Sequence, residues 1–88
     1  MYTIKDLNFK PLWNGVQAIM FFPNGYGVSV IKHQYSYGGD RGLWEIAVLK
    51  GTEDNWNICY DTDITDDVLG YQTDQDVTDV MCRVQELK

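Results

Sequence analysis

Leu43–Lys50 reads LWEIAVLK and is the most apolar run in the chain, with Gly42 before it and Gly51 after it. Both alternating sets of side chains in this run include large apolar residues, so a strand here would be apolar on both faces. Strands of this kind lie in the middle of a sheet and are covered, at least in part, on both sides. We therefore predict a central β-strand over these residues.

A β-hairpin is predicted before the central strand, formed by Val16–Phe22 and Tyr26–Lys32. Residues 23–25, Pro-Asn-Gly, suit a three-residue loop in which proline starts a type I turn and glycine takes the left-handed position. This loop pairs Phe22 with Tyr26, and the resulting register gathers apolar side chains on one face. The predicted face consists of Val16, Ala18, Met20, Phe22, Tyr26, Val28 and Val30.

The segments outside these strands carry turn and helix signals. Residues 1–9 form either one helical turn capped by Thr3 or a short edge strand, and Pro11 is expected to end either of them. After the central strand, the pattern predicts a polar turn and a fourth strand over Trp56–Tyr60. Thr65–Gly70 is predicted to be an N-cap, one helical turn and a glycine stop.

A longer helix is predicted at the C-terminal end, with Thr73 as its N-cap. Its apolar residues recur at helical spacing on one stripe: Val77, Val80, Met81, Val84 and Leu87. We expect this stripe to cover the apolar face of the hairpin. The 88 residues are thus predicted to form a single domain, 1–88, of the α+β class: a four-stranded antiparallel β-meander with one C-terminal α-helix packed on a face.

Charge is distributed unevenly along the chain, whose net charge is −6. Residues 1–50 hold five basic and three acidic side chains, whereas residues 51–88 hold ten acidic and two basic ones. Acidic surfaces repel phosphate, so we expect no direct binding of nucleic acid. The acidic residues form either a solvated face or a nucleic-acid mimic that occupies a DNA- or RNA-binding protein. They include Asp61, Asp63, Asp66, Asp67, Asp74, Asp76 and Asp79.

Catalytic and metal-binding patterns are missing from the sequence. His33 is the one histidine, and the two cysteines, Cys59 and Cys82, lack the spacing of a zinc site. Asp61–Asp67 offers alternate oxygen ligands but departs from the EF-hand pattern, and capping of helix starts explains it better. We expect no enzymatic activity and no cofactor.

Three segments resemble small uncharacterised proteins encoded by tailed bacteriophages and prophages: FPNGYGVSV at 22–30, YGGDRGLWEIAVL at 37–49 and CYDTDITDDVLGY at 59–71. The resemblance carries no catalytic motif. It implies expression in a bacterial cytoplasm and a function in binding a host protein. Free thiols, the interrupted apolar pattern of the first ten residues and the absence of a long apolar run also favour a soluble cytoplasmic protein.

The loop at 33–42 is the predicted contact surface, because it is longer than a hairpin connection needs to be. Tyr35, Tyr37 and Arg41 lie within it, and tyrosine and arginine are enriched among residues that dominate binding energy. The alternative is that both rings fold back and cover the sheet edge. In an extended segment the two tyrosines would point the same way and act together. The partner's identity and the oligomeric state stay open.

Overall fold

In the computed structural model, which describes residues 1–65 and 67–88, an antiparallel β-sheet carries one α-helix on one of its faces. The predicted α+β class is therefore confirmed, with more strands than expected. The strands and the helix, in chain order, are β1 (Lys10–Leu12), β2 (Gly15–Phe21), β3 (Tyr26–Lys32), β4 (Trp44–Thr52), β5 (Asn55–Ile58), β6 (Val68–Gln72) and α1 (Asp74–Gln85). Single turns of 3-10 helix lie at Ile4–Asp6 and Gly39–Arg41.

The predicted hairpin is confirmed in its turn and in its register. The Phe22 N–H donates to the Tyr26 carbonyl at 2.8 Å, and Gly25 has a φ of 85°. Met20 pairs with Val28, as the three-residue loop requires. The conformation of a tight turn depends on the few residues within it, so the sequence alone was enough to predict this turn.

The sheet is a meander from β1 to β5, and β6 joins it on an edge that β5 already occupies. β5 pairs with Leu49–Thr52, and β6 pairs with Trp44–Ala47. Two short strands thus lie in tandem along one side of β4. The excursion between them, residues 59–67, places Ile64 in the core beside the helix.

Two predictions about the short segments were wrong. Thr65–Gly70 is not a helical turn, because Val68 and Leu69 pair with β4 as part of β6. The open half of the β4 edge offers more hydrogen bonds than one isolated helical turn would, and tertiary pairing overrides the local capping signal. Pro11 does not end the chain's regular structure either. It lies within β1, an edge strand, where proline is tolerated.

The first residues adopt the helical alternative of the two that the sequence left open. The Thr3 side chain accepts a hydrogen bond from the backbone at residue 5, and the Asp6 carboxylate accepts one from the Thr3 N–H at 2.8 Å. This turn lies against α1, where the Ile4 N–H donates to the Thr78 hydroxyl. The predicted N-cap of α1 is also confirmed, since Thr73 and Asp76 form a second capping box.

The core lies between α1 and the face of the sheet that we call the helix face. The buried side chains of the helix are Val77, Val80, Met81 and Val84, and those of the sheet include Ala18, Val28, Val30, Ile46 and Val48. Trp44 closes one end of this layer. Phe9 stacks on it at 4.7 Å, and the Lys32 ammonium lies 3.8 Å from the centre of its ring.

The opposite surface, the back face, carries alternate residues of the same strands and has no described helix or strand packed on it. Leu49 is nevertheless fully buried there, whereas Ile19 and Ile58 are each 37% exposed. The Phe21 ring lies over Gly27, where an added Cβ would come within 2.7 Å of it. The central strand is thus covered on both sides, as predicted, but no helix covers its back face among the described residues. No helix among the described residues has the length and apolarity to cross a bilayer.

Candidate functional site

Four exposed aromatic rings and one arginine cluster at one end of the sheet, on three separate connections. Trp13 is 73% exposed, Tyr35 74%, Tyr37 60% and Tyr71 54%. Arg41 completes the group, with its guanidinium carbon 5.8 Å from the centre of the Tyr71 ring. We call these five residues the aromatic end. Rings of this size are costly to leave in water, and these are four of the six exposed aromatic side chains among the described residues.

Trp13 belongs to the turn between β1 and β2 and meets the long loop edge to face. Its ring centre lies 4.9 Å from that of His33 and 6.1 Å from that of Tyr35. Asn14 and Gln34 join the two connections through a pair of hydrogen bonds. The Asn14 amide donates to the Gln34 side-chain oxygen at 2.7 Å, and the Gln34 N–H donates back to Asn14 at 3.2 Å.

The long loop is a series of tight turns and not an extended segment, so the condition under which the two tyrosines would point the same way is not met. Ser36 is buried, and its hydroxyl accepts from the His33 N–H at 3.0 Å and donates to the His33 carbonyl at 2.9 Å. The His33 Nδ1 atom accepts from the Tyr35 N–H at 3.0 Å. These local bonds fold the loop back on itself, because a buried hydroxyl satisfies its partners best within a turn.

Tyr37 lies on the other side of the loop from Tyr35 and packs against β6. The Tyr71 N–H donates to the Tyr37 carbonyl at 3.1 Å, and the Tyr37 N–H donates to a Glu45 carboxylate oxygen, also at 3.1 Å. A Cβ on Gly70 would lie 2.5 Å from that of Tyr37. The two loop tyrosines therefore have different neighbours: Tyr35 lies beside Trp13 and His33, and Tyr37 lies beside Gly70 and Tyr71.

Backbone strain is concentrated at this same end of the sheet. Trp13 has a φ of 55° and Tyr71 a φ of 57°, and no other non-glycine residue in the described chain has a positive φ. For a bulky side chain this conformation costs on the order of 1–3 kcal/mol, and it persists where surrounding contacts impose it. Both strained residues present an exposed ring, so the fold keeps these rings in place at a cost in stability.

Sequence reasoning identified Tyr35, Tyr37 and Arg41 but missed Trp13 and Tyr71. Asn14-Gly15 is typical of a two-residue hairpin turn, but such a turn would give positive φ to Asn14 and Gly15. The observed turn is Trp13-Asn14, between the paired Leu12 and Gly15, so this pattern does not identify Trp13. Tyr71 had no local signal either, because its position depends on a register shift between β4 and β6.

Both loop tyrosines are mostly exposed. Tyr37 nevertheless lies against Gly70 of β6 at the edge of the sheet, in part as the alternative supposed, whereas Tyr35 contacts Trp13 and His33.

The acidic residues of the C-terminal half are spread over a loop and a helix. Asp61, Asp63 and Asp67 lie in residues 59–67, and Asp66 lies outside the described residues. The acidic residues of α1 have local partners. Asp74 accepts from the Trp44 indole N–H at 2.7 Å, Asp76 caps the helix, and Asp79 accepts from Gln75 at 2.9 Å.

The two buried serine hydroxyls, of Ser29 and Ser36, form hydrogen bonds with neighbouring groups of the sheet and the loop. The Ser36 hydroxyl bonds to the backbone of His33 and not to its ring, and the Ser29 hydroxyl accepts from Gln17 at 3.2 Å. Within residues 1–65 and 67–88, no three His, Cys, Asp or Glu side chains come together as metal ligands. The arrangement that stands out is the aromatic end.

Cys59 and Cys82 are both free thiols, as predicted, and they differ in environment. Cys59 is buried, and its thiol donates to the Asp61 carboxylate at 2.9 Å. Burial raises the pKa of Cys59, and the neighbouring carboxylate adds to the effect. The same hydrogen bond lowers the pKa of Asp61. At neutral pH the Cys59 thiolate is therefore scarcer than that of an ordinary cysteine.

We expect Cys82 to react with a thiol reagent at least about tenfold faster than Cys59 in the native protein, since the thiolate is the reactive species. Stopped-flow titration with a chromogenic disulfide, with Cys82→Ser and Cys59→Ser as matched variants, assigns each phase. Asp61→Asn should accelerate the slow phase, because it removes the negative charge next to the thiol. Equal rates for the two thiols would contradict the difference in their environments. Detection of no reactive thiol after denaturation without reductant would contradict the assignment of both cysteines as free.

Comparison with known proteins gives no family for this chain: no family model, curated protein or solved structure matches it. The resemblance to phage-encoded proteins therefore stays a prediction.

Proposed function

We propose that this protein is a protein-binding module whose partner docks on the aromatic end. The observation that carries the proposal is the pair of strained, exposed aromatic residues, Trp13 and Tyr71, on either side of Tyr35, Tyr37 and Arg41. Trp, Tyr and Arg dominate the binding energy of protein interfaces. Large rings held rigidly lose little conformational entropy on binding, so the tightly bonded loop favours affinity.

The setting we propose is a bacterial cytoplasm, with a host protein as the partner and no membrane involved. This part rests on the resemblance to phage-encoded proteins and on the free thiols, which suit a reducing compartment. An acidic nucleic-acid mimic is less well supported. Several of its candidate residues already act within the fold, such as Asp76 in the capping box and Asp74 with Trp44.

The double variant Tyr35→Ala, Tyr37→Ala tests the proposal directly. It should lose capture of the partner by affinity purification from the host, while its free energy of unfolding falls by only about 1 kcal/mol. The small cost follows because both rings are mostly exposed and the backbone bonds of the loop remain. Trp13→Ala should weaken capture in the same way, since Trp13 flanks Tyr35.

Tyr60→Ala is the matched control, because Tyr60 is 55% exposed but lies outside the aromatic end. It should retain capture. Retention of capture by the double variant would contradict the proposal, and so would a loss of roughly 2 kcal/mol or more in stability, which would make the rings part of the core. Steep weakening of capture with rising salt would instead favour the acidic mimic, because screening acts on exposed charges.

A further inference from the structure

The outer edge of β2 is only half occupied. β1 pairs with Gly15, Val16 and Gln17, and Phe9, directly before β1, stacks on Trp44 and does not continue the pairing. The remaining part of β2, Ala18–Phe21, has no strand beside it among the described residues. The other side of the sheet differs, because β5 and β6 between them occupy both halves of the β4 edge.

The register shows which backbone groups point outward at this half-edge. Phe22 and Tyr26 form a hydrogen-bonded pair, and such pairs alternate along an antiparallel ladder. Ala18 and Met20 therefore bond to β3, whereas the N–H and C=O groups of Ile19 and Phe21 point away from it. Two donors and two acceptors thus face outward, the arrangement that an added strand requires.

A cleft of about 470 Å³ lies along this half-edge. Ile19, Met20 and Phe21 contribute to its lining from β2, with Asp6 and Lys10 from the N-terminal segment and Glu53 from the turn after β4. The apolar side chains offer contacts to alternate residues of an extended chain. Two carboxylates against one ammonium make the cleft net acidic, within a chain whose charge is −6.

We propose that this cleft binds an extended, basic peptide segment of a partner protein, which adds to the sheet beside Ala18–Phe21. Main-chain bonds to Ile19 and Phe21 supply the register, and apolar side chains on alternate residues contact Ile19 and Phe21 on the back face. Basic side chains on the other residues face Asp6. A second copy of this chain, whose net charge is −6, fits a net acidic cleft less well than a basic segment does.

The test uses the full chain labelled with nitrogen-15 and the blocked peptide acetyl-Val-Lys-Val-Lys-Val-amide. At saturation, amide exchange at Ile19 and Phe21 should slow at least tenfold, with a dissociation constant of about 1 mM or tighter. Exchange at Met20, which already bonds to β3, should stay the same. The peptide with Glu in place of Lys should bind at least tenfold more weakly, and the peptide N-methylated at alternate residues should not bind.

Ile19→Pro removes an outward N–H without removing a bond to β3, so it should weaken peptide binding at least tenfold, whereas Ile19→Val should not. If Ile19→Pro does not fold, the test rests on the N-methylated peptide, whose binding to the unmodified protein is compared with that of the parent peptide. No binding, equal binding of the N-methylated peptide, or shifts confined to the aromatic end would overturn the proposal. If the amides of Ile19 and Phe21 are already protected from exchange in the free protein, and analytical ultracentrifugation shows a dimer, the proposal is overturned in favour of self-association.

Discussion

Removal of residues 73–88 is expected to abolish cooperative folding. These residues contain all of α1, whose four buried side chains, Val77, Val80, Met81 and Val84, form one side of the core. Burying each contributes about 1.5–3 kcal/mol, and the total stability of a small domain is about 5–15 kcal/mol. Without the helix, the apolar face of β3 and β4 would be open to water. Thermal melting followed by circular dichroism checks this, and a cooperative transition near the full-length temperature would contradict it.

A single substitution within the helix gives a graded version of the same test. Met81 is fully buried, so Met81→Ala should lower the free energy of unfolding by about 2–5 kcal/mol through lost burial and the cavity left behind. Gln75→Ala is the matched control on the exposed side of α1 and should change stability by less than about 0.5 kcal/mol. Similar denaturation midpoints for the two variants would show that the helix face is not the main core.

Gly39→Ala is the second substitution for which we expect a large loss. An added Cβ would lie 2.0 Å from the His33 carbonyl oxygen and 2.4 Å from the Ser36 hydroxyl, both within the folded loop. The backbone would have to move, at a cost of about 3 kcal/mol, near the upper end for overpacking. Because the loop presents Tyr35 and Tyr37, the variant should also lose partner capture.

Gly42→Ala separates this steric effect from backbone preference. Gly42 has a φ of 74°, but an added Cβ there would meet nothing within 4 Å. Its cost should therefore be only that of a left-handed residue, about 1–2 kcal/mol. Chemical denaturation of both variants gives the comparison, and a loss for Gly39→Ala no larger than that for Gly42→Ala would refute the close-packed loop.

The candidate site could be predicted only in part. Tyr35, Tyr37 and Arg41 were found because a glycine-rich loop of that length and composition is conspicuous in the sequence. The contribution of Tyr71 depends on the pairing of β6 with β4, which joins residues far apart in the chain. Which segments pair depends on how several segments compete for the free edges of the sheet. A local sequence pattern contains no information about that competition.

The sequence by itself determined the hairpin of β2 and β3, the central strand, the capping of α1 and the apolar stripe of that helix. Each of these depends on turn chemistry, capping or periodicity over fewer than about fifteen residues. Only the tertiary structure decided that Val68–Gln72 is a strand, that the half-edge at Ala18–Phe21 stays open, and that Trp13 and Tyr71 join the long loop. The physical reason is that these features arise where distant segments compete for the same hydrogen bonds and apolar surface, and the free energy of the whole sheet settles the outcome.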